Sequence, residues 1–152
     1  MTAEQAQEWT QRGAFDDYID ENVFVDDSKF LSNMKIRGKG LYAARDFRKN
    51  EYIQEYLGKM ITDQEAERKT KNTNYMFDVK GKRGILFVLD GAQKRYSSAA
   101  RYVNAANKLS QQNSYFKQVG DRIMLRALKR IPKYNEIIGW YGPDTHRVIK
   151  QH

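Results

Sequence analysis

The chain has 152 residues, enough for one domain with one core, and its 40% hydrophobic and 30% charged residues make a soluble globular composition. There is no cysteine and only His146 and His152, so disulfides, zinc centres and histidine-based triads are not expected. No apolar run approaches the roughly 20 residues of a membrane span, and Met1-Thr2-Ala3-Glu4-Gln5 lacks the basic and apolar regions of a secretory signal, so the expected setting is intracellular.

The net charge of +8 is unevenly spread. Residues 1–30 carry 8 acids and 2 bases, or −6, which leaves +14 for the rest. Residues 3–12 have helix-forming composition. Asp16 to Asp27 mixes acids with aromatic and aliphatic residues, and Phe15, Tyr18, Phe24 and Val25 are candidate anchors for packing back onto a basic body or onto a second copy. The sequence therefore divides into an acidic extension, 1–28, a body, 29–143, and a tail, 144–152. Short strands are predicted at 33–37, 40–44, 51–57, 74–79, 84–89, 113–118, 122–128 and 136–140, separated by Gly-, Asn-, Asp- and Lys-rich turns. Thr62-Asp63-Gln64-Glu65 fits a capping box and starts one helix, and a further helical turn is predicted at Ser97–Tyr102. No internal repeat is evident. The expected class is mostly β, within α+β.

Four segments stand out. Ile36-Arg37-Gly38-Lys39-Gly40-Leu41-Tyr42-Ala43-Ala44 places two glycines around one residue, a turn whose backbone can approach a ligand. Without a third glycine or a following long helix it is not a dinucleotide fingerprint. Asn50-Glu51-Tyr52-Ile53-Gln54-Glu55-Tyr56-Leu57-Gly58 alternates as a strand with two usable faces. In Ala100-Arg101-Tyr102-Val103-Asn104-Ala105-Ala106-Asn107, Arg101 and Asn104 share a face if the segment is a helical turn, and Asn can both donate to and accept from an amino-acid-like ligand. Asn135-Glu136-Ile137-Ile138-Gly139-Trp140-Tyr141-Gly142 ends a strand in aromatics, which either fill a core or aim a tyrosine hydroxyl into a cleft. Singly, each segment is as well explained by turns, caps and packing as by a site.

Their order is more specific. Gly-x-Gly-hydrophobic-aromatic-Ala, acid-Tyr-hydrophobic-Gly, Arg-aromatic-hydrophobic-Asn and Glu-x-x-x-x-Tyr-Gly resembles the running order of a SET domain, over about residues 30–143. Arg101-Tyr102-Val103-Asn104-Ala105-Ala106 and Gly139-Trp140-Tyr141-Gly142 are most similar to the PR-domain (PRDM) branch, and the short length resembles small viral or microbial SET proteins. The resemblance implies small curved β-sheets around a knot-like C-terminal segment, with S-adenosylmethionine on one face and the target lysine entering a channel from the other. It implies that the backbone of Gly38, Lys39, Gly40 and Leu41, together with Arg101, Asn104 and backbone groups of Ala105, holds the cofactor. Tyr141 is the implied catalytic tyrosine, and Tyr56, Tyr75, Gly139 and Trp140 are the implied substrate channel. The products are S-adenosylhomocysteine and a methylated lysine, with a histone tail as the expected substrate, no metal, and a nuclear location. Chromatin contact through the basic surface and self-association are further expected partnerships.

Three positions depart from the family. Ala105 stands where most members have His, Gly139 where many have Tyr or Phe, and no cysteine-rich segment follows Gly142. Gly139 carries its own expectation: open space around the amine, and hence di- and trimethylation. Two other readings stay open on sequence alone, a SET fold that recruits partners without catalysis and a basic nucleic-acid-binding β-domain.

Overall fold

A computed structural model describes residues 21–70 and 75–139. Its strands form three sheets. The first has the order β1 (Val23–Asp27), β2 (Lys39–Ala43), β10 (Glu136–Gly139), β7 (Asn104–Ala105). The second runs β3 (Tyr52–Tyr56), β9 (Arg122–Ala127), β8 (Ser114–Val119), and the third β4 (Lys59–Ile61), β6 (Gly84–Asp90), β5 (Met76–Gly81). Pairing is antiparallel throughout except between β10 and β7, where Ile138 faces Asn104 and Gly139 faces Ala105.

Period-two patterning explains the second sheet. In β9, Ile123, Leu125 and Ala127 are buried while Arg122, Met124 and Arg126 are not. In β3 the alternation expected of Tyr52-Ile53-Gln54-Glu55-Tyr56 breaks, because a register shift between Tyr52 and Gln54 lets Ile53 and Tyr56 both turn inward. Tyr56, Phe77 and Phe116 then meet at centroid separations of 4.4–5.7 Å, at the centre of a core that also holds Leu41, Phe47, Leu125, Ile131 and Ile137. The predicted capping box is present: Thr62 Oγ1 accepts from Glu65 N and starts α2 (Asp63–Arg68), which leans on the third sheet through Ala66, Ile61, Met76 and Val88.

Two expectations change. The strand predicted at 33–37 does not form. Ser28 Oγ accepts from Leu31 N and caps α1 (Lys29–Asn33), and Lys35 at φ 60 closes the helix. The sequence reading also starts the body at Lys29, whereas Val23–Asp27 already pairs with β2 along its whole length, with Phe24 stacked on Tyr42 at 5.3 Å. Of the other anchor candidates, Val25 lies in β1, and Phe15 and Tyr18 lie outside the described residues, as does the C-terminal segment from Trp140 onward.

The fold also contains a local duplication that composition hides. Residues 43–52 and 127–136 each leave a strand, bend, bridge and turn back into a strand. The two copies pair with each other through Phe47 and Ile131, whose N–H groups donate reciprocally at 2.8 and 2.9 Å. Their turn residues Asn50 and Tyr134 both have left-handed φ, 71 and 74.

Candidate active site

A cleft of about 740 Å³ opens where α1 and its exit loop face β7 and the turns before it. Seven of the residues singled out in the sequence border it: Gly38, Lys39, Tyr56, Tyr75, Arg101, Asn104 and Ala105. Phe30, Leu31, Met34 and Ile36 supply an apolar wall that sequence reading missed by taking 33–37 as a strand.

Asn104 is the first residue of β7, not part of the helical turn (Ala99–Tyr102) that carries Arg101, so the two reach the cleft from different elements. The Asn104 amide is held by three acceptors. Nδ2 donates to Lys39 O at 3.0 Å, to Ser28 Oγ at 3.2 Å and towards Glu136 Oε2 at 3.4 Å. A carbonyl and a carboxylate can only accept, so they fix which way the amide points. That leaves Oδ1 as an acceptor for a donor arriving in the cleft.

Behind Asn104 lies a relay that motif reading did not assign. Glu136 Oε2 accepts from Ser28 Oγ at 2.6 Å, and Oε1 accepts from Phe30 N at 2.9 Å. Ser28 thereby spends its one proton on Glu136 and its lone pairs on Leu31 N and Asn104 Nδ2. Tyr42 Oη donates to Asp27 O at 2.6 Å, so its 3.4 Å approach to Glu136 is one oxygen against another. Burial pushes the Tyr42 phenol up, and the Glu136 carboxylate adds to this. The signals were present: Ser28 precedes a helix-competent Lys29-Phe30-Leu31, and Glu136 opens the last motif.

Arg101 donates from Nη2 to Ala92 O at 3.1 Å, and its guanidinium lies 4.6 Å from the Tyr75 ring centroid and 5.2 Å from that of Tyr102. Its Nε and Nη1 are buried without a hydrogen-bond partner among the described residues. Such donors cost about 1–3 kcal/mol each when left unmade, so they favour an acceptor that completes them. Tyr56 Oη donates to Tyr75 O, which fixes the two tyrosines against each other at the cleft wall. Lys39 turns its side chain away to pair with Asp27 at 2.7 Å, and this contact holds the exposed Asp27 carboxyl below the usual carboxylate range.

The remaining predicted residues lie elsewhere. Gly40 and Leu41 are buried in β2 and do not border the cleft. A Cβ on Gly40 would run into the Glu136 carboxylate, so the second glycine of the Gly-x-Gly turn makes room for the relay. The open space expected at Gly139 is closed: a Cβ there would sit 2.9 Å from Val103 Cγ1 and 3.5 Å from Ser114 Oγ. Trp140 and Tyr141 lie outside the described residues.

The cleft thus offers one oriented carbonyl acceptor, a guanidinium at its wall and an apolar face, a set that fits an amino-acid-like ligand with an apolar body. The SET domain family model matches residues 38–142. Over 132 residues the chain is 32% identical to the human protein named histone-lysine N-methyltransferase 2D, covering 78% of this chain but 2% of that one. A solved methyltransferase domain of human PR domain-containing protein 2 superposes with a TM-score of 0.65 at 22% identity, covering 93% of this chain and 87% of that domain, which shows the shared fold. A Chaetomium thermophilum Polycomb repressive complex 2, autoinhibited and bound to S-adenosylmethionine, superposes with a TM-score of 0.66 at 26% identity over 83% of this chain and 16% of its own. With the family matched from Gly38 to Gly142 and the fold shared with solved members, this chain belongs to the SET-domain family.

Proposed function

We propose that the chain transfers a methyl group from S-adenosylmethionine to a lysine side chain of a protein, with a histone tail as substrate in the nucleus. The observation that carries this reading is the Asn104 amide, fixed by Lys39 O, Ser28 and Glu136 with its Oδ1 left to receive an ammonium. The bound cofactor supplies an electrophilic methyl carbon on a sulfonium. Asn104 Oδ1 would accept from the ligand's α-ammonium, and the Arg101 guanidinium at the wall of the same cleft would favour its carboxylate by charge. Backbone groups of Gly38, Lys39 and Ala105 line the same cleft.

The incoming lysine must be neutral to attack. Its ordinary pKa is about 10.4, and an apolar channel lowers it by disfavouring the ammonium. Tyr56 and Tyr75 are assigned to that channel from the family pattern. The Tyr141 hydroxyl is assigned, from the family pattern, to orienting the amine in line with the methyl–sulfur bond. Ala105 in place of histidine is compatible with this reading, because a backbone contact survives the exchange.

The test is incubation with methyl-labelled S-adenosylmethionine and a core histone mixture, followed by mass spectrometry. Label on lysine in the wild type, lost in Tyr141→Phe with cofactor affinity retained, is the expected result. Cofactor binding without transfer to any protein would replace this reading with a recruiting module.

A further inference from the structure

We propose that the duplicated turns form a docking surface for the phosphate backbone of duplex DNA, separate from the cleft. Residues 44–51 contribute Arg45, Arg48 and Lys49, and residues 126–134 contribute Arg126, Lys129, Arg130 and Lys133. The Phe47–Ile131 bridge fastens the two segments side by side, reinforced by Asn50 N donating to Ala127 O at 2.8 Å and Arg126 Nε donating to Asn50 O at 2.6 Å. The two paired segments therefore carry seven bases and two acids, a surplus of +5.

Both acids are already occupied. Asp46 Oδ1 accepts from Lys133 N at 2.7 Å, and Oδ2 lies 3.7 Å from Arg130 Nη2. Glu51 accepts from Arg48 N and pairs with Arg45 at 3.0 Å, and the Arg45 hydrogen bond holds its carboxyl below the usual range. Arg48, Lys49, Lys129 and Lys133 stand exposed and are left to neutralise an external partner. None of these residues borders the cleft.

A lysine-rich peptide would be repelled here, so this surface is not a path for a basic substrate tail. Its exposed aliphatic side chain is Leu128, too little for the apolar centre of a protein interface. Exposed Tyr52 and Tyr134 lie under Arg126 and Lys133 at 5.2 and 4.9 Å, which holds two of the cations in place. Cations spaced along two antiparallel paired segments with little apolar area suit a polyanion of regular spacing.

The experiment measures fluorescence anisotropy of a labelled 20-base-pair duplex with the full chain across a salt series. Five phosphate contacts give a slope of log K against log salt near −4.5, a loss of about 500-fold between 50 and 200 mM salt. A triple Lys49→Glu, Lys129→Glu, Lys133→Glu variant takes the surplus from +5 to −1 and should abolish measurable binding. The charge-matched control is Lys80→Glu, Lys82→Glu, Arg83→Glu at the exposed β5–β6 turn, which should keep the wild-type slope. Both variants should retain wild-type S-adenosylmethionine affinity and melting behaviour, so failure here is separate from failure of the methyl-transfer reading. Equal losses in the two triples, no binding at 50 mM salt, or equally tight binding of poly-glutamate would each overturn the proposal.

Discussion

Glu136→Gln removes the charge that orients the Asn104 amide at the cleft while changing almost no volume. The carboxylate accepts on both oxygens: Oε1 from Phe30 N, Oε2 from Ser28 Oγ and Asn104 Nδ2. A glutamine has one acceptor oxygen, so in either orientation its NH₂ meets a donor. Facing Phe30, it leaves that N–H without its acceptor; facing Asn104, it opposes the Asn104 NH₂ and turns the amide. Losing a bond to a charged group costs about 1.5–3 kcal/mol, and weakening the remainder brings the sum to about 2–4 kcal/mol. In a domain of this size that lowers the melting temperature by roughly 6–12 °C. Thermal unfolding followed by circular dichroism reads the stability, and calorimetry at a temperature where the variant is folded reads cofactor affinity. Affinity should fall about tenfold as Asn104 loses its orientation. A variant with wild-type melting and wild-type affinity would refute the relay.

Gly139→Tyr, which an open channel would accept as a switch towards monomethylation, should instead destabilise the fold by about 3 kcal/mol, because Val103 and Ser114 already fill the space; a stable variant that stops at monomethyl-lysine would contradict this. Tyr134→Gly should stabilise by about 0.5–1 kcal/mol in chemical denaturation, since relief of a left-handed tyrosine outweighs glycine's entropy, while Asn50→Gly should change little because asparagine tolerates that region. The Asp27 carboxyl should titrate below the ordinary aspartate value of about 3.9 by NMR and return to it in Lys39→Met. Because its folded-state pKa is depressed, the pair's contribution is present above about pH 4 and lost as pH falls through the folded-state pKa.

Local signals were legible where local physics decides. The Thr62–Glu65 capping box needs only four residues, and β9 declares its buried face by simple alternation. The misreading of 33–37 has a physical origin: Met34 and Ile36 alternate like a strand, but they serve as the cleft's apolar wall after a helix that Ser28 starts. The packing constraint on Gly40 was not legible, because sequence cannot show a carboxylate arriving from 96 residues away. The Ser28–Glu136–Asn104 relay joins three elements that meet only when β10 inserts between β2 and β7. Gly139 likewise read as open space until Val103 and Ser114 were placed beside it.

The proposed function stands on Asn104 presenting a fixed carbonyl to the amino-acid end of S-adenosylmethionine. Calorimetric titration of the wild type and Asn104→Ala with S-adenosylmethionine tests it most directly. Binding to the wild type is expected, with a loss of about ten- to a hundredfold in the variant, the value of a hydrogen bond to a charged group. Equal affinity in both proteins, or no binding to the wild type, would contradict it.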